Sequence, residues 1–320
     1  MSVSGFFRFA ERTHPLFLPA VFAFCVGSAF TILVLTHPAG YIRDSTTDLQ
    51  LVGTLILYTF LPPYFLAIVV YQRRRTLETL NELAAFAMAG DAERVRHRTQ
   101  RLPAFAWLGG LLGFGFGAAQ NPEAVRSMLA TRTFEPLDVA FVLSACLIWS
   151  LVAMVLCFRL PASLALSAMG ERLAIDLYRL DRIRSLGRLA TSEILVVAGA
   201  MAFMPLQSLD AEFRPGNYQP GVLVGVPAAA IFFLTPLWGV HRSIQAHKRA
   251  RIDELQVQVA HLGQNDLVAL EALCAHIDRV RALASWPIDH RLITRVFVYV
   301  VIPPLAWIAS AVVQSWIERL

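Results

Sequence analysis

Charge is scarce in this chain. Asp, Glu, Lys and Arg make up 16% of its 320 residues and hydrophobic residues 56%, against about 25% and about 45–50% in an ordinary soluble domain. That shortage excludes a water-surrounded globule and leaves lipid as the solvent for most of the polypeptide. Cysteine is scarce too. Cys25, Cys146, Cys157 and Cys274 lie far apart, three of them inside apolar runs and none in a CxxC pair, which argues against a disulfide framework or a cysteine zinc site. Enzyme signatures are missing: the chain carries no HExxH, GxSxG, Walker or dinucleotide-binding pattern, and no histidine has a carboxylate or second histidine at zinc-protease spacing. His241 and His247, six apart, fall off one helical face and read as a solvated basic helix end. His261, beside a turn, has no nucleotide-binding domain to phosphorylate it. No catalytic residue, metal or cofactor is expected. Acidic residues are missing from the centres of the apolar runs, where only Asp138 and Glu193 stand, at run ends. An ion-coupled carrier usually places a carboxylate near the midplane, whereas a channel can line its path with hydroxyls, amides, carbonyls and apolar constrictions. Internal repeats and low-complexity tracts are also absent.

What is abundant is long apolar sequence. A spanning helix needs about 20 mostly apolar residues, and seven windows approach or exceed that: 15–37, 49–71, 103–119, 137–158, 191–209, 220–240 and 293–317. The third is short and glycine-rich, reading LGGLLGFGFG from Leu108 to Gly117, a composition common where membrane helices pack closely. The first follows Arg8 and Arg12 without a small-residue cleavage site, so it reads as a retained helix and not a signal peptide. The whole of 1–320 is expected to form one all-α polytopic membrane bundle of about seven transmembrane helices.

The basic residues orient it. Of the 28 Lys and Arg, five lie on one side of the alternating map, Arg43, Arg126, Arg132, Arg214 and Arg319, and the rest on the other. Cytoplasmic loops retain Lys and Arg, so the N-terminus is expected inside and the C-terminus outside, in a multi-pass plasma (inner) membrane protein. The formal charge of +5 is thereby explained by topology, and no nucleic-acid partner is implied.

The inner segments 72–102, 159–190 and 241–290 carry good helix formers and are expected to extend the spans into a cytoplasmic helical layer. Two amphipathic stripes stand out there: Ile252, Leu255, Val259 and Leu262, then, after a turn near Gly263-Gln264-Asn265, Leu267, Leu270, Cys274, Ile277 and Val280. Apolar stripes at this spacing need a partner helix. Bundle core and subunit-assembly seam are both open for Ile252, Leu255, Val259, Leu262, Leu267, Leu270 and Ile277. Ser285-Trp286-Pro287 breaks the last element into an inner piece, 266–285, and a membrane piece, 291–317.

In the last window Tyr299, Pro303, Ala306, Ser310 and Gln314 follow at steps of 4, 3, 4 and 4, one polar, small-residue stripe on the 3.6-residue repeat. Such a stripe suits a pore wall or a close helix contact. Pro303-Pro304, and Pro62-Pro63 in the second window, remove backbone hydrogen bonds within the membrane and mark hinge candidates or fixed kinks.

Seven crossings with the N-terminus inside, long cytoplasmic extensions and a split last element resemble the seven-transmembrane ion channel superfamily that includes insect odorant and gustatory receptors. Receptor members carry Thr-Tyr, five apolar residues, then Gln-Phe near the C-terminus. Here Trp307-Ile308, Ala309 to Val313 and Gln314-Ser315 occupy that register, so the apolar run and Gln314 match. The resemblance implies a tetrameric cation channel with an anchor of cytoplasmic helix ends and a pore lined by the last helix; the function expected of this chain is a homo-oligomeric, ligand-gated or otherwise gated cation channel, with a small molecule as one candidate ligand. Two other functions stay open from the residues alone: a non-conducting sensor or scaffold whose cytoplasmic helices bind a soluble partner, and a carrier for a small neutral solute.

Overall fold

The structure, a computed structural model, describes residues 17–36, 45–88, 90–101, 103–122, 125–126, 130, 136–204, 206, 215–262, 267–286, 294 and 298. Among these the chain is all-helical, with no strand. We name the helices α1 (Phe17–Thr36), α2 (Ser45–Leu83), α3 (Asp91–Gln100), α4 (Ala104–Ala119), α5 (Pro136–Glu171), α6 (Arg184–Met201), α7 (Pro215–His261) and α8 (Leu267–Ala282), with a short 3-10 turn at Leu180–Ile183.

Among the described residues three helices are long and apolar enough to cross a membrane, within Val52–Leu83, Val139–Glu171 and Gln219–His261. The pair α3 and α4, bent by 41° at the break between them, makes a fourth if it is one span. α1 is apolar but shorter, and window 293–317, with Tyr299, Pro303, Pro304, Ala306, Ser310 and Gln314, lies outside the described residues apart from isolated positions. Window 191–209 is not one helix: α6 starts earlier, at Arg184, and stops at Met201, after which Ala202 and Phe203 form a turn. Pro205 in the sequence accounts for the stop, since it lacks an N–H and disfavours helical geometry in the residue before it.

The three long helices overreach any bilayer. At 1.5 Å per residue the 39, 36 and 47 residues of α2, α5 and α7 extend about 58, 54 and 70 Å, against a hydrocarbon core of about 30 Å. α2 runs unbroken through buried Pro62 and Pro63. The overreaching parts pack together. Leu80 and Leu83 of α2, Val95 of α3, Leu166 and Met169 of α5, Leu186 of α6, Ile244 and Leu255 of α7 and Val280 of α8 share one buried core. A second core, of Leu57, Leu61, Phe65, Ile68 and Ile148, sits in the apolar parts of α2 and α5.

The glycine-rich helix α4 lies antiparallel along α5. Gly109, Gly110, Gly113 and Gly117 are buried, and a Cβ added to them would meet, in turn, Cys157, Met154, the Trp149 carbonyl and Cys146. Leu and Phe could not approach so closely, so the glycines are spent on interhelical contact. Phe116 locks the far end with its ring edge-on to Trp149 at 4.7 Å. α5 and α7 cross at an equally close point, where Gly239 faces the Ser167 carbonyl.

Candidate functional site

Two windows end, in sequence, on a polar residue: Gln72 follows 49–71 and Arg159 follows 137–158. Glu193 lies just inside the start of 191–209. Helix packing brings the three together. Arg159 donates to Glu193 and, at 3.1 Å, to Thr76 Oγ1. Gln72 Nε2 donates to the other Glu193 oxygen at 2.5 Å, and Thr76 returns its hydroxyl to the Gln72 carbonyl at 2.8 Å. The Arg159 and Glu193 side chains are each only 2% exposed. A charge so buried is tolerable because the partner neutralises it and hydrogen bonds satisfy most remaining groups. Satisfaction is incomplete, however: Gln72 Oε1 and Arg159 Nε are buried without a hydrogen-bond partner.

Gln72, Arg159 and Glu193 line a half-open pocket of about 100 Å³ between α2, α5, α6 and α7. Its walls are apolar, built from side chains such as Leu61, Phe65, Val152, Val196, Ala228 and Phe232, and among the described residues Gln72, Arg159 and Glu193 are its only charged or amide lining residues. α6 is held against α2 beside the cavity by Tyr64, whose hydroxyl donates to the Val196 carbonyl at 2.8 Å. The pocket is thus an apolar space with the Gln72–Arg159–Glu193 network at its polar end. Among the described residues no three His, Cys, Asp or Glu side chains gather to hold a metal ion.

A second polar cluster joins α7 to the end of α8. Lys248 Nζ donates to the carbonyls of Arg281 and Leu283, at 3.1 and 2.6 Å, and to Ser285 Oγ at 3.3 Å. His241 stacks on Trp286 with ring centroids 4.2 Å apart and, through Nδ1, donates to the Ser285 carbonyl at 2.8 Å. His241 is thus a packed joint residue and not part of a solvated helix end. His247 is exposed and bonds only its own helix, at the Ser243 carbonyl.

The stripe residues divide. Leu255 and Ile277 are buried in the chain's own core, with Ile252 and Val259 packed against it. Leu262 is half-buried, Leu270 is exposed, and Leu267 is 72% exposed. Pro62 and Pro63 lie about two and a half to four helical turns from the Gln72–Thr76 end of the network. The residues of the network itself were not picked out as a site from sequence. The signal in the sequence is that Glu193 is the one acidic residue in window 191–209. No family model, curated protein or solved structure matches this chain.

Proposed function

We propose that this chain is a seven-crossing plasma-membrane protein, N-terminus in the cytoplasm, that assembles as a homotetramer and works as a ligand-gated cation channel with its last membrane helix lining the pore. The observation that carries the reading is the apolar cavity whose polar end ties three helices into one network. A ligand seated there touches α2, α5, α6 and α7 together, and it biases their arrangement by as much as its affinities for the two arrangements differ. Support for the alternating topology comes from Gln72, Arg159 and Glu193, which seven crossings put at one level, the inner membrane edge.

The ligand that fits is neutral and about the size of a single aromatic ring, since an engineered apolar cavity of about 150 Å³ accepts benzene. Arg159 and Glu193 already cancel, so a charged guest would remain unpaired in an apolar chamber. Benzyl alcohol is a suitable probe.

Purified protein in planar bilayers tests the proposal. Discrete conductance that grows with benzyl alcohol, and that Ser310→Leu or Gln314→Leu alters, is expected. Ala228→Phe, which fills the cavity, should abolish the response while leaving the tetramer intact by mass measurement in detergent. Silent bilayers from folded protein would defeat the channel. The carrier is the second reading, favoured by the cavity's position inside a single chain and not on a shared axis; a monomer that accelerates solute entry into liposomes would establish it.

A further inference from the structure

The elbow of α3 and α4 joins two opposite surface chemistries. On α3 the buried face is Asp91, Val95 and Thr99, and the acidic residues are already engaged. Asp91 accepts from Arg94 at 2.9 Å and Arg172 at 3.4 Å, and Glu93 from Arg96 at 3.4 Å. Arg98 and Arg101 are left over: both are exposed, and among the described residues neither has a carboxylate within ion-pair distance. Arg98 stands in the last turn of α3 and Arg101, three positions on, is the extended residue that caps its end. Past Pro103 the character reverses. α4 turns its glycines to α5 and presents Phe105, Leu108, Leu111 and Leu112 outward, with Trp107 59% exposed.

An outward apolar helix belongs against hydrocarbon, and an exposed indole at its start belongs at the headgroup level. That depth puts two unpaired guanidiniums, a few residues earlier in the chain, where lipid phosphates lie. Guanidinium recognises phosphate with paired N–H donors. A zwitterionic headgroup carries its own cation beside the phosphate and competes for it; an anionic one does not.

We propose that this elbow is a binding site for an anionic phospholipid, with Arg98 and Arg101 on the headgroup phosphate and Phe105 and Trp107 against the start of the acyl chains. The site requires only that the chain lie in a membrane and is independent of conduction.

Native mass spectrometry of the full-length protein in neutral detergent, titrated with phosphatidylglycerol or phosphatidylcholine, tests it. Phosphatidylglycerol should bind more tightly, and R98Q/R101Q should weaken it roughly 30-fold, since each arginine near an anionic surface contributes about fivefold, while phosphatidylcholine binding stays unchanged. R249Q/R279Q removes the same charge from exposed positions of α7 and α8 and should change neither by more than about twofold. Equal losses in the two double variants, no loss in R98Q/R101Q, or displacement of the lipid by millimolar inorganic phosphate would each overturn the proposal.

Discussion

Arg159 of α5 and Glu193 of α6 form an ion pair sealed from solvent, with Gln72 of α2 bonded to the second Glu193 oxygen. Deep pairs of this kind are poor sources of net stability but costly to break, because removing one partner strands the other. Arg159→Met is therefore expected to destabilise the protein by about 3–5 kcal/mol, seen as a large fall in the thermal midpoint in detergent. The double variant Arg159→Met, Glu193→Leu should recover most of that loss. Additive losses in the cycle would show that the two side chains do not interact.

The α4–α5 seam predicts a contrast between neighbouring glycines. A Cβ at Gly113 would run into the Trp149 carbonyl, backbone that cannot rotate away, whereas one at Gly115 meets nothing within 4 Å. Gly113→Val should cost about 1–3 kcal/mol, the usual penalty of overpacking. Gly115→Val should be close to neutral. Thermal unfolding followed by size-exclusion chromatography distinguishes them.

Lys248 holds the end of α8 by three hydrogen bonds. Lys248→Met leaves the part-buried Arg281 and Leu283 carbonyls without this donor, at about 0.5–1.5 kcal/mol for each hydrogen bond lost. Hydrogen exchange over 281–286 should accelerate at least tenfold, with little change over 52–70, and Lys248→Arg should lie between. Unchanged exchange would mean that Trp286 and His241 hold the joint by themselves.

Cys274 is exposed on α8, which makes it a native topology probe. With the N-terminus inside, a membrane-impermeant maleimide should reach Cys274 in inverted vesicles and not in intact cells. Asn121→Cys, past the end of α4, should behave oppositely. Labelling of both from one side would require an even number of crossings between them.

Much of the fold could be read from residue pattern alone, and the reasons are local. A run such as Val139 to Phe158 is too apolar to leave in water, and glycines at 109, 110, 113 and 117 announce a close-packed helix face whatever the partner. Window 191–209 and α6 start at different places because hydropathy does not register the polar first turns of the helix begun at Arg184. The site was legible only in fragments. Glu193 was visible as a carboxylate at a run's edge, but Arg159 looked like one more inner-edge basic residue, and Gln72 like a helix extension.

Composition and order along the chain determined that this protein is helical and that several of its helices are long and apolar enough to cross a membrane, since transfer energies and backbone satisfaction depend on each segment by itself. Which residues meet was decided by tertiary structure. Leu255 and Ile277 turned to the chain's own core, His241 stacked on Trp286, and Gln72, Arg159 and Glu193 converged from three helices around one cavity. Those outcomes depend on helix rotation and on contacts between residues dozens of positions apart. A one-dimensional pattern constrains them only weakly, because many rotations bury the same apolar area.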